Sequence, residues 1–334
     1  MRSFFYGNSG ESMQLYLAPM EELTGYIFRN AIEKHFGYID KYFTPFITPN
    51  QNKILKTKDG REIIPEHNEG MNTVVQVLTN NAEHFIELAY TLIELGYEEI
   101  NINCGCPSNT VVKKNRGSGF FRDLYILDEF LEGVFASEIS DKVKLSVKTR
   151  VGLEDDQDFE DIMRIYNKYP ISELTIHPRI QKDYYTGKPR MELFDYGLKS
   201  SNARVCYNGD VFGVNDYNRI AKEYAGIIEE GRLNAIMIGR GAIANPGIFR
   251  EIRTGQKMTA EELKCFHDDL FETYASTWSE KDALFKLKEI WGYIGKRFVD
   301  VDKQLKAIRK SSNRQEFMSA ANMVWKADMV EYKG

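Results

Sequence analysis

Short apolar runs recur along the chain, and most are followed by a stretch whose apolar residues repeat at helical spacing. The runs Leu15–Leu17, Ile39–Phe43, Thr73–Leu78, Glu99–Asn103, Leu145–Lys148, Glu173–Ile176, Arg204–Tyr207 and Ala235–Ile238 predict strands. Between them, Thr24–Phe36, Asn81–Leu95, Asp123–Glu138, Phe159–Tyr169 and Val214–Ile228 predict amphipathic helices. In Asn81–Leu95 the residues Ala82, Phe85, Ile86, Ala89 and Ile93 fall on one helical face. Strands alternating with helices argue for parallel βαβ units, and eight strands within about 230 residues is the arithmetic of a (β/α)8 barrel. A short helix over Ile248–Arg253 precedes a break at Thr254-Gly255. Beyond it no strand pattern returns, and Thr259-Ala260-Glu261-Glu262 reads as a capping box opening a helix. The expected fold is α/β: a TIM barrel over residues 1–254, with 1–13 as a lead-in, then an all-helical domain of three or four helices over 255–334.

The polar residues fall where such a barrel would use them. Strand one ends in Ala18-Pro19-Met20, strand three carries Gln76, and strand four ends at Asn103. Strand five ends at Lys148, six at His177, seven at Asn208-Gly209-Asp210 and eight at Gly239-Arg240-Gly241. Barrel enzymes build their sites from strand carboxyl ends, so these residues are expected to share one mouth.

Composition narrows the class. The chain has 334 residues, 43% hydrophobic and 28% charged, which suits a globular protein with a sizeable core. A formal net charge of −5 excludes a polycation, so contact with nucleic acid requires a local basic surface. Cys104, Cys106, Cys206 and Cys265 are too scattered for a disulfide framework. Met1–Tyr6 lacks the apolar segment of a signal peptide, and no run approaches the roughly 20 apolar residues that span a bilayer. A cytoplasmic protein without membrane association is expected.

Candidate chemistry centres on Glu99-Ile100-Asn101-Ile102-Asn103-Cys104-Gly105-Cys106-Pro107-Ser108. The alternation predicts a strand, and Gly105 and Pro107 break it, so Asn103 and the Cys106 thiol sit just past its carboxyl end. Cys-x-Cys without a second pair does not make a zinc site, so no metal is expected and a thiol acting as acid or nucleophile is the better reading. Cys104 and Cys206 read as packing residues. The glycine-bearing ends of strands seven and eight, with Arg240, suit a phosphate. Lys148 at the mouth suits an anion, and His177 a hydrogen bond or proton transfer. The segment Val111–Asp123 is a basic loop that suits a polyanion or simply solvent. In the tail, Lys281, Lys286, Lys288, Lys296, Arg297, Lys303, Lys306, Arg309, Lys310 and Arg314 make a basic face, while Trp291, Tyr293 and Phe298 at helical spacing read as core.

Leu17-Ala18-Pro19-Met20, Val75-Gln76, Ile102-Asn103-Cys104-Gly105-Cys106-Pro107, Val147-Lys148-Thr149-Arg150, His177-Pro178-Arg179, Asn208-Gly209-Asp210 and Gly239-Arg240 occur in the order seen in tRNA-dihydrouridine synthases. The chain resembles that family across the barrel. The resemblance implies an FMN-dependent reductase that saturates the C5–C6 bond of selected uridines in tRNA. FMN would be tight but non-covalent, and NADPH would reduce it. By the same resemblance Ala18, Pro19 and Met20 would line the flavin, Gln76 would bond its ring, and Lys148 would sit near N1 and O2. His177 would help hold the cofactor, and Asn208, Gly209, Asp210, Gly239 and Arg240 would hold its phosphate. The flavin N5 would deliver hydride to C6, Cys106 would protonate C5 as general acid, and Asn103 and Arg179 would orient the uracil. Asn101 departs from the family, which usually has an aspartate there.

An ordinary thiol, with a pKa of about 8.5, is mostly protonated at neutral pH and is a competent proton donor. A stacked base cannot reach a barrel mouth, so the uridine must be flipped out, and a helical domain gripping tRNA would supply the energy. The expected partners are tRNA and NAD(P)H, and a monomer is the expected state. Two rival readings are an FMN barrel acting on a small pyrimidine or enone, and a non-catalytic RNA-binding protein on the same scaffold. The helical tail and the basic loop argue against the first, and Cys106, Lys148 and the phosphate loops against the second.

Overall fold

A computed structural model describes residues 13–49 and 54–332, so the lead-in and the amino-terminal reading fall, but for Met13, outside the described residues. Eight parallel strands close into a barrel in sequence order. They are β1 (Gln14–Leu17), β2 (Lys41–Phe43), β3 (Thr73–Val77), β4 (Glu99–Cys104), β5 (Lys144–Arg150), β6 (Glu173–His177), β7 (Arg204–Tyr207) and β8 (Leu233–Ile238). The expected TIM barrel is the observed fold. β5 runs past Lys148 to Arg150, because its pairing with β6 continues to Arg150 opposite His177.

Contacts divide the chain into two compact units. The first holds β1 to Pro19, Lys41–Gly209 and Ala221–Met237. The second holds Met20–Asp40, Asp210–Ile220 and the chain from Ile238 onward. The helical tail therefore shares its unit with the helix Tyr26–His35.

Inside the first unit the barrel is filled in layers. At the amino-terminal pole the four even-numbered strands contribute Lys41, Glu99, Glu173 and Asn234, one each, as alternate strands do in a barrel layer. Lys41 Nζ lies 2.6 Å from Glu99 and 3.9 Å from Glu173. Glu173 also accepts from Tyr16 Oη at 2.8 Å and Asn234 Nδ2 at 2.6 Å. Burial raises the Glu173 carboxyl, and Lys41 opposes that shift. Next comes an apolar plug of Tyr16, Ala18, Phe43, Val74, Cys206, Ala235 and Met237. Ions close one end of the barrel and the plug seals its middle, so polar chemistry is left to the carboxyl end.

Helix Ala82–Glu94 starts where Asn81 accepts a hydrogen bond from His84 N at 2.8 Å. Its buried row is Phe85, Leu88, Ala89 and Leu92, an i, i+3, i+4, i+7 stripe. The expected face was displaced by a few tens of degrees: Ala82, Ile86 and Ile93 are only half-buried at its flank. Ala82 there meets Gly133, where a Cβ would lie 2.9 Å from it.

The tail of the second unit forms four helices, Ala260–Thr277, Glu280–Ile294, Asp302–Lys310 and Arg314–Val324. Thr259 and Glu262 make the expected capping box. Trp291 and Phe298 are buried, as helical spacing predicted, and Trp291 Nε1 donates to His267 Nε2 at 3.0 Å. Glu262 also takes both forks of Arg250, at 2.8 and 2.9 Å. That pairing, helped by the Thr259 N–H, holds its carboxyl down to about 2.

A pH-dependent stability follows, because the same carboxyl in the unfolded chain titrates near 4.3. The pair stabilises the fold fully above that value and is lost as pH falls through about 2. With Glu262 35% exposed, solvent screening limits the contribution to about 1 kcal/mol. Arg250→Met should therefore lower urea stability by about that amount at pH 7 and by almost nothing near pH 2. An equal loss at both pH values would assign the effect to packing on Phe36, over whose ring Arg250 sits at 5.4 Å.

Candidate active site

β4 sends alternate residues to opposite faces, so Glu99, Asn101 and Asn103 share the inner face. Cys104 faces away and is fully buried, and burial pushes its thiol up to about 12. It is a packing residue, as expected. Past Cys104 the strand stops in a turn that Asn103 builds: its Oδ1 accepts from Gly105 N at 3.0 Å and Cys106 N at 2.9 Å. Cys106 follows, half-buried.

The basic segment after Cys106 is no loose lid. Asn109–Val112 and Gly117–Arg122 are helical turns, and Gly117–Phe121 is buried. Ser118 donates to Cys106 O from its hydroxyl at 2.9 Å and its N–H at 3.2 Å. Gly117 has φ +57, and a Cβ there would lie 2.8 Å from Cys106 Cβ, so only glycine brings this segment against the turn. Lys113 and Lys114 remain exposed at its tip, whereas Arg116 Nε donates to Asn80 at 3.1 Å.

β5 and β6 complete this end of the first unit. Lys148 pairs in register with Asn103 across the sheet. Burial, with the neighbouring Arg150, lowers its amine to about 8, and no carboxylate is among the groups that shift it. Arg150 is buried and donates to Gly105 O at 3.0 Å, Ile180 O at 2.8 Å and Tyr184 O at 2.6 Å. His177 Nε2 lies 3.0 Å from Arg179 Nη1. A guanidinium only donates, so Nε2 accepts and the proton of a neutral ring sits on Nδ1. Arg179 also donates to Thr186 O at 3.1 Å and Gly187 O at 2.6 Å, and is buried against this loop.

Gln76, Asn103, Cys106, Lys148 and His177 are thus gathered at one end of the first unit, with Ala18 buried and Pro19 half-buried at the end of β1. Asn208 anchors to Met237 O at 2.9 Å, and Gly209 is required by packing, since a Cβ would fall 2.0 Å from Tyr207 Oη. In the second unit, Asp210 binds Arg240 at 2.6 Å, and Arg240 lies over the Phe212 ring at 5.2 Å. Asp210 thus fixes the Arg240 guanidinium in place. Gly239 precedes the short helix Arg240–Ala244, and Met20 N donates to Thr24 Oγ1 at 2.8 Å.

Some residues of this site carried no functional assignment from sequence. Arg150 clamps the Cys106 turn to the loop after β6, and Gln181 adds a second tie by donating to Pro107 O at 2.7 Å. Tyr185, half-exposed, stacks over His177 at 6.4 Å and over the Arg150 guanidinium at 5.6 Å, giving a flat aromatic wall. The Tyr184-Tyr185 doublet in an otherwise polar loop was the available signal. Asn101 and Ser146 lie one layer deeper and are linked by a hydrogen bond of 2.9 Å. Among the described residues no group of three or more His, Cys, Asp or Glu side chains could hold a metal, and no helix is long and apolar enough to cross a membrane. The end as a whole offers a thiol, a lysine amine, a ring N–H donor and amide donors.

The family model described as Dihydrouridine synthase (Dus) matches residues 16–329. A probable tRNA-dihydrouridine synthase of Staphylococcus aureus (strain COL) is 27% identical over 284 residues, covering 82% of this chain and 80% of that protein. The tRNA-dihydrouridine synthase B of Pseudomonas aeruginosa is 31% identical over 206 residues, covering 60% and 59%. Among solved structures, a variant of NCR from Zymomonas mobilis superposes with a TM-score of 0.52 at 13% identity, covering 79% of this chain and 93% of that one, a likeness of fold.

Proposed function

This chain belongs to the dihydrouridine synthase family, and from that premise we propose that it reduces the C5–C6 double bond of uridines in tRNA, with FMN as resident cofactor and NADPH as reductant. The observation that carries the reading is the thiol of Cys106, set in a turn built by Asn103 beside a lysine whose amine is shifted by no carboxylate among the described residues. Such a lysine fits a flavin, whose reduced ring is anionic near N1. A bound reduced flavin supplies the hydride that C6 receives.

Each residue then has a task. Cys106 Sγ gives its proton to C5 as the C6 hydride arrives, and the thiolate regains a proton from solvent. Lys148 would balance the negative charge of a reduced flavin held here. Gln76 and Asn103 offer amide N–H groups, and His177 is held by Arg179 with Nδ1 as donor. Ala18, Pro19 and Met20 would line the cofactor, and Arg179 keeps its place as a candidate for uracil orientation through His177. Asn208, Gly209, Asp210, Gly239 and Arg240 would hold the phosphate, Asp210 by fixing Arg240. The direct test supplies purified protein with NADPH and unmodified tRNA and measures dihydrouridine by mass spectrometry. A yellow protein that forms dihydrouridine supports the proposal, and one that reduces small pyrimidines or enones but no tRNA overturns it.

The tRNA would be gripped by the tail, and the structure narrows the basic face. Lys286 pairs with Glu22, Lys288 with Ser311 O, Arg314 with Glu272, and Arg297 is buried. Lys303, Lys306 and Lys310 are exposed at i, i+3 and i+7 on helix Asp302–Lys310, so they line one stripe. Reversing all three to glutamate should weaken tRNA binding by about tenfold or more at 0.1 M salt and flatten its salt dependence. Unchanged affinity would remove the stripe from the interface. Truncation is a poorer test, because helix Ala260–Thr277 packs Phe266 edge-on to Phe28 at 5.7 Å and pairs Asp269 with Lys34 at 2.9 Å.

A further inference from the structure

Four buried side chains form an unbroken hydrogen-bonded row from β5 to the Cys106 turn. Ser146 Oγ accepts from Asn101 Nδ2 at 2.9 Å, and Asn101 Oδ1 accepts from Gln76 Nε2 at 2.7 Å. Gln76 Oε1 accepts from Asn103 Nδ2 at 2.7 Å, and Asn103 Oδ1 accepts from the N–H groups of Gly105 and Cys106. The sense of every amide follows from the top of the row. A backbone N–H can only donate, so the Asn103 atom facing the turn is oxygen and its nitrogen faces Gln76. Gln76 must then present oxygen to Asn103 and nitrogen to Asn101, which in turn presents nitrogen to Ser146. The Ser146 hydroxyl can donate or accept and so ends the row without conflict.

An amide nitrogen carries two hydrogens, and the row uses one on Gln76 and one on Asn103. Each keeps a second N–H, suited to a ring carbonyl oxygen, of the flavin for Gln76 and of uracil for Asn103. Asn101 is fully buried, two positions before Asn103 on β4, and has no atom in the turn. We propose that Asn101 is a positioning residue for the reduction: it supplies the one acceptor that holds Gln76, and through Gln76 it fixes the Asn103 amide and the Cys106 turn. This rests on the reading of Cys106 as the proton donor. If Gln76 turned over, its nitrogen would face the nitrogen of Asn103. Asn103 cannot turn with it, because its own N–H groups would then oppose those of Gly105 and Cys106. Loss of the Asn101 acceptor therefore loosens the turn that carries the thiol.

Two substitutions separate this role from simple packing. Asn101→Asp keeps an acceptor under Gln76, and Ser146 can rotate to donate to it, so the row keeps its sense. Asn101→Leu fills the space and removes the acceptor. The experiment uses the purified holoprotein and measures kcat and KM on unmodified tRNA, together with the rate of Cys106 alkylation by iodoacetamide in the absence of tRNA. Asn101→Leu should lower kcat about tenfold or more with KM for tRNA within about twofold, and shift the alkylation rate about fivefold or more. Asn101→Asp should stay within about threefold of wild type on kcat and alkylation. Wild-type alkylation in Asn101→Leu, or equal losses in both variants, overturns the proposal. Should Asn101→Leu fail to fold, Ser146→Ala removes the far acceptor and is judged by the same alkylation criterion. An inactive wild type would overturn the proposed function instead, and the alkylation comparison would still decide the row.

Discussion

Under the proposed function, Cys106→Ala should lose dihydrouridine formation by about 10²–10⁴-fold, the usual worth of a positioned proton donor, while keeping the proposed flavin and its melting temperature. In the proposed reduction, hydride addition at C6 would leave negative charge over C5, C4 and O4, and the product would form only when C5 gains a proton. The turn does not depend on the thiol: it is held through the Cys106 N–H by Asn103 and through the Cys106 carbonyl by Ser118. Alanine also keeps the Cβ that Gly117 packs against. The variant thus keeps the backbone bonds that hold the turn, and product in tRNA can be counted by mass spectrometry after a single addition of NADPH. Cys106→Ser should recover little, because an alcohol holds its proton far more tightly than a thiol. Near-wild-type turnover in the alanine variant would take the thiol out of the reaction.

The barrel was legible because its two periods are local. Apolar alternation marks strands over a few residues, and the polar residue ending each strand, such as Asn103, Lys148 or His177, is visible beside its own strand. What closes the other pole was not legible. Lys41, Glu99, Glu173 and Asn234 each look like an ordinary residue near the start of a strand, and their meeting depends on barrel closure. The Tyr16–Glu173 hydrogen bond joins residues 157 apart in sequence, a separation no spacing rule reaches. Charge was legible, and the use of charge was not. Lys286 and Arg314 counted toward a basic face until tertiary structure supplied Glu22 and Glu272. The segment after Cys106 showed its lysines in sequence, but burial of Gly117–Phe121 followed only from its packing on the turn. Asn101 alternated with the isoleucines of β4, so its inward face was readable; that it bridges Gln76 to Ser146 required the register of β3, β4 and β5.

Arg150 shows the same limit, and its replacement should have the largest effect on stability. It stands two residues past Lys148, where the sequence suggested the strand had ended, yet it is buried, and burial lowers its guanidinium only to about 10, so it stays charged at neutral pH. Its three donors reach three carbonyls on two separate segments: Gly105 beside Cys106, and Ile180 and Tyr184 after β6. No other side chain presents donors in that fork. Arg150→Leu should leave these carbonyls without their partner, at about 1–3 kcal/mol for each that water cannot reach. Ile180 is buried, whereas Gly105 and Tyr184 are partly open to solvent, so a total near 3 kcal/mol is expected. In a chain of this size that is a fall of about 4 °C in melting temperature. Arg150→Lys should recover only part of it, since one ammonium on a flexible stem cannot span both segments. The stability loss should come with faster proteolysis of the loop over residues 180–187, which Arg150 and Arg179 tie down by its carbonyls. A melting temperature within about 1 °C of wild type would mean that water replaces the guanidinium at little cost, and that the Cys106 turn stands without this clamp.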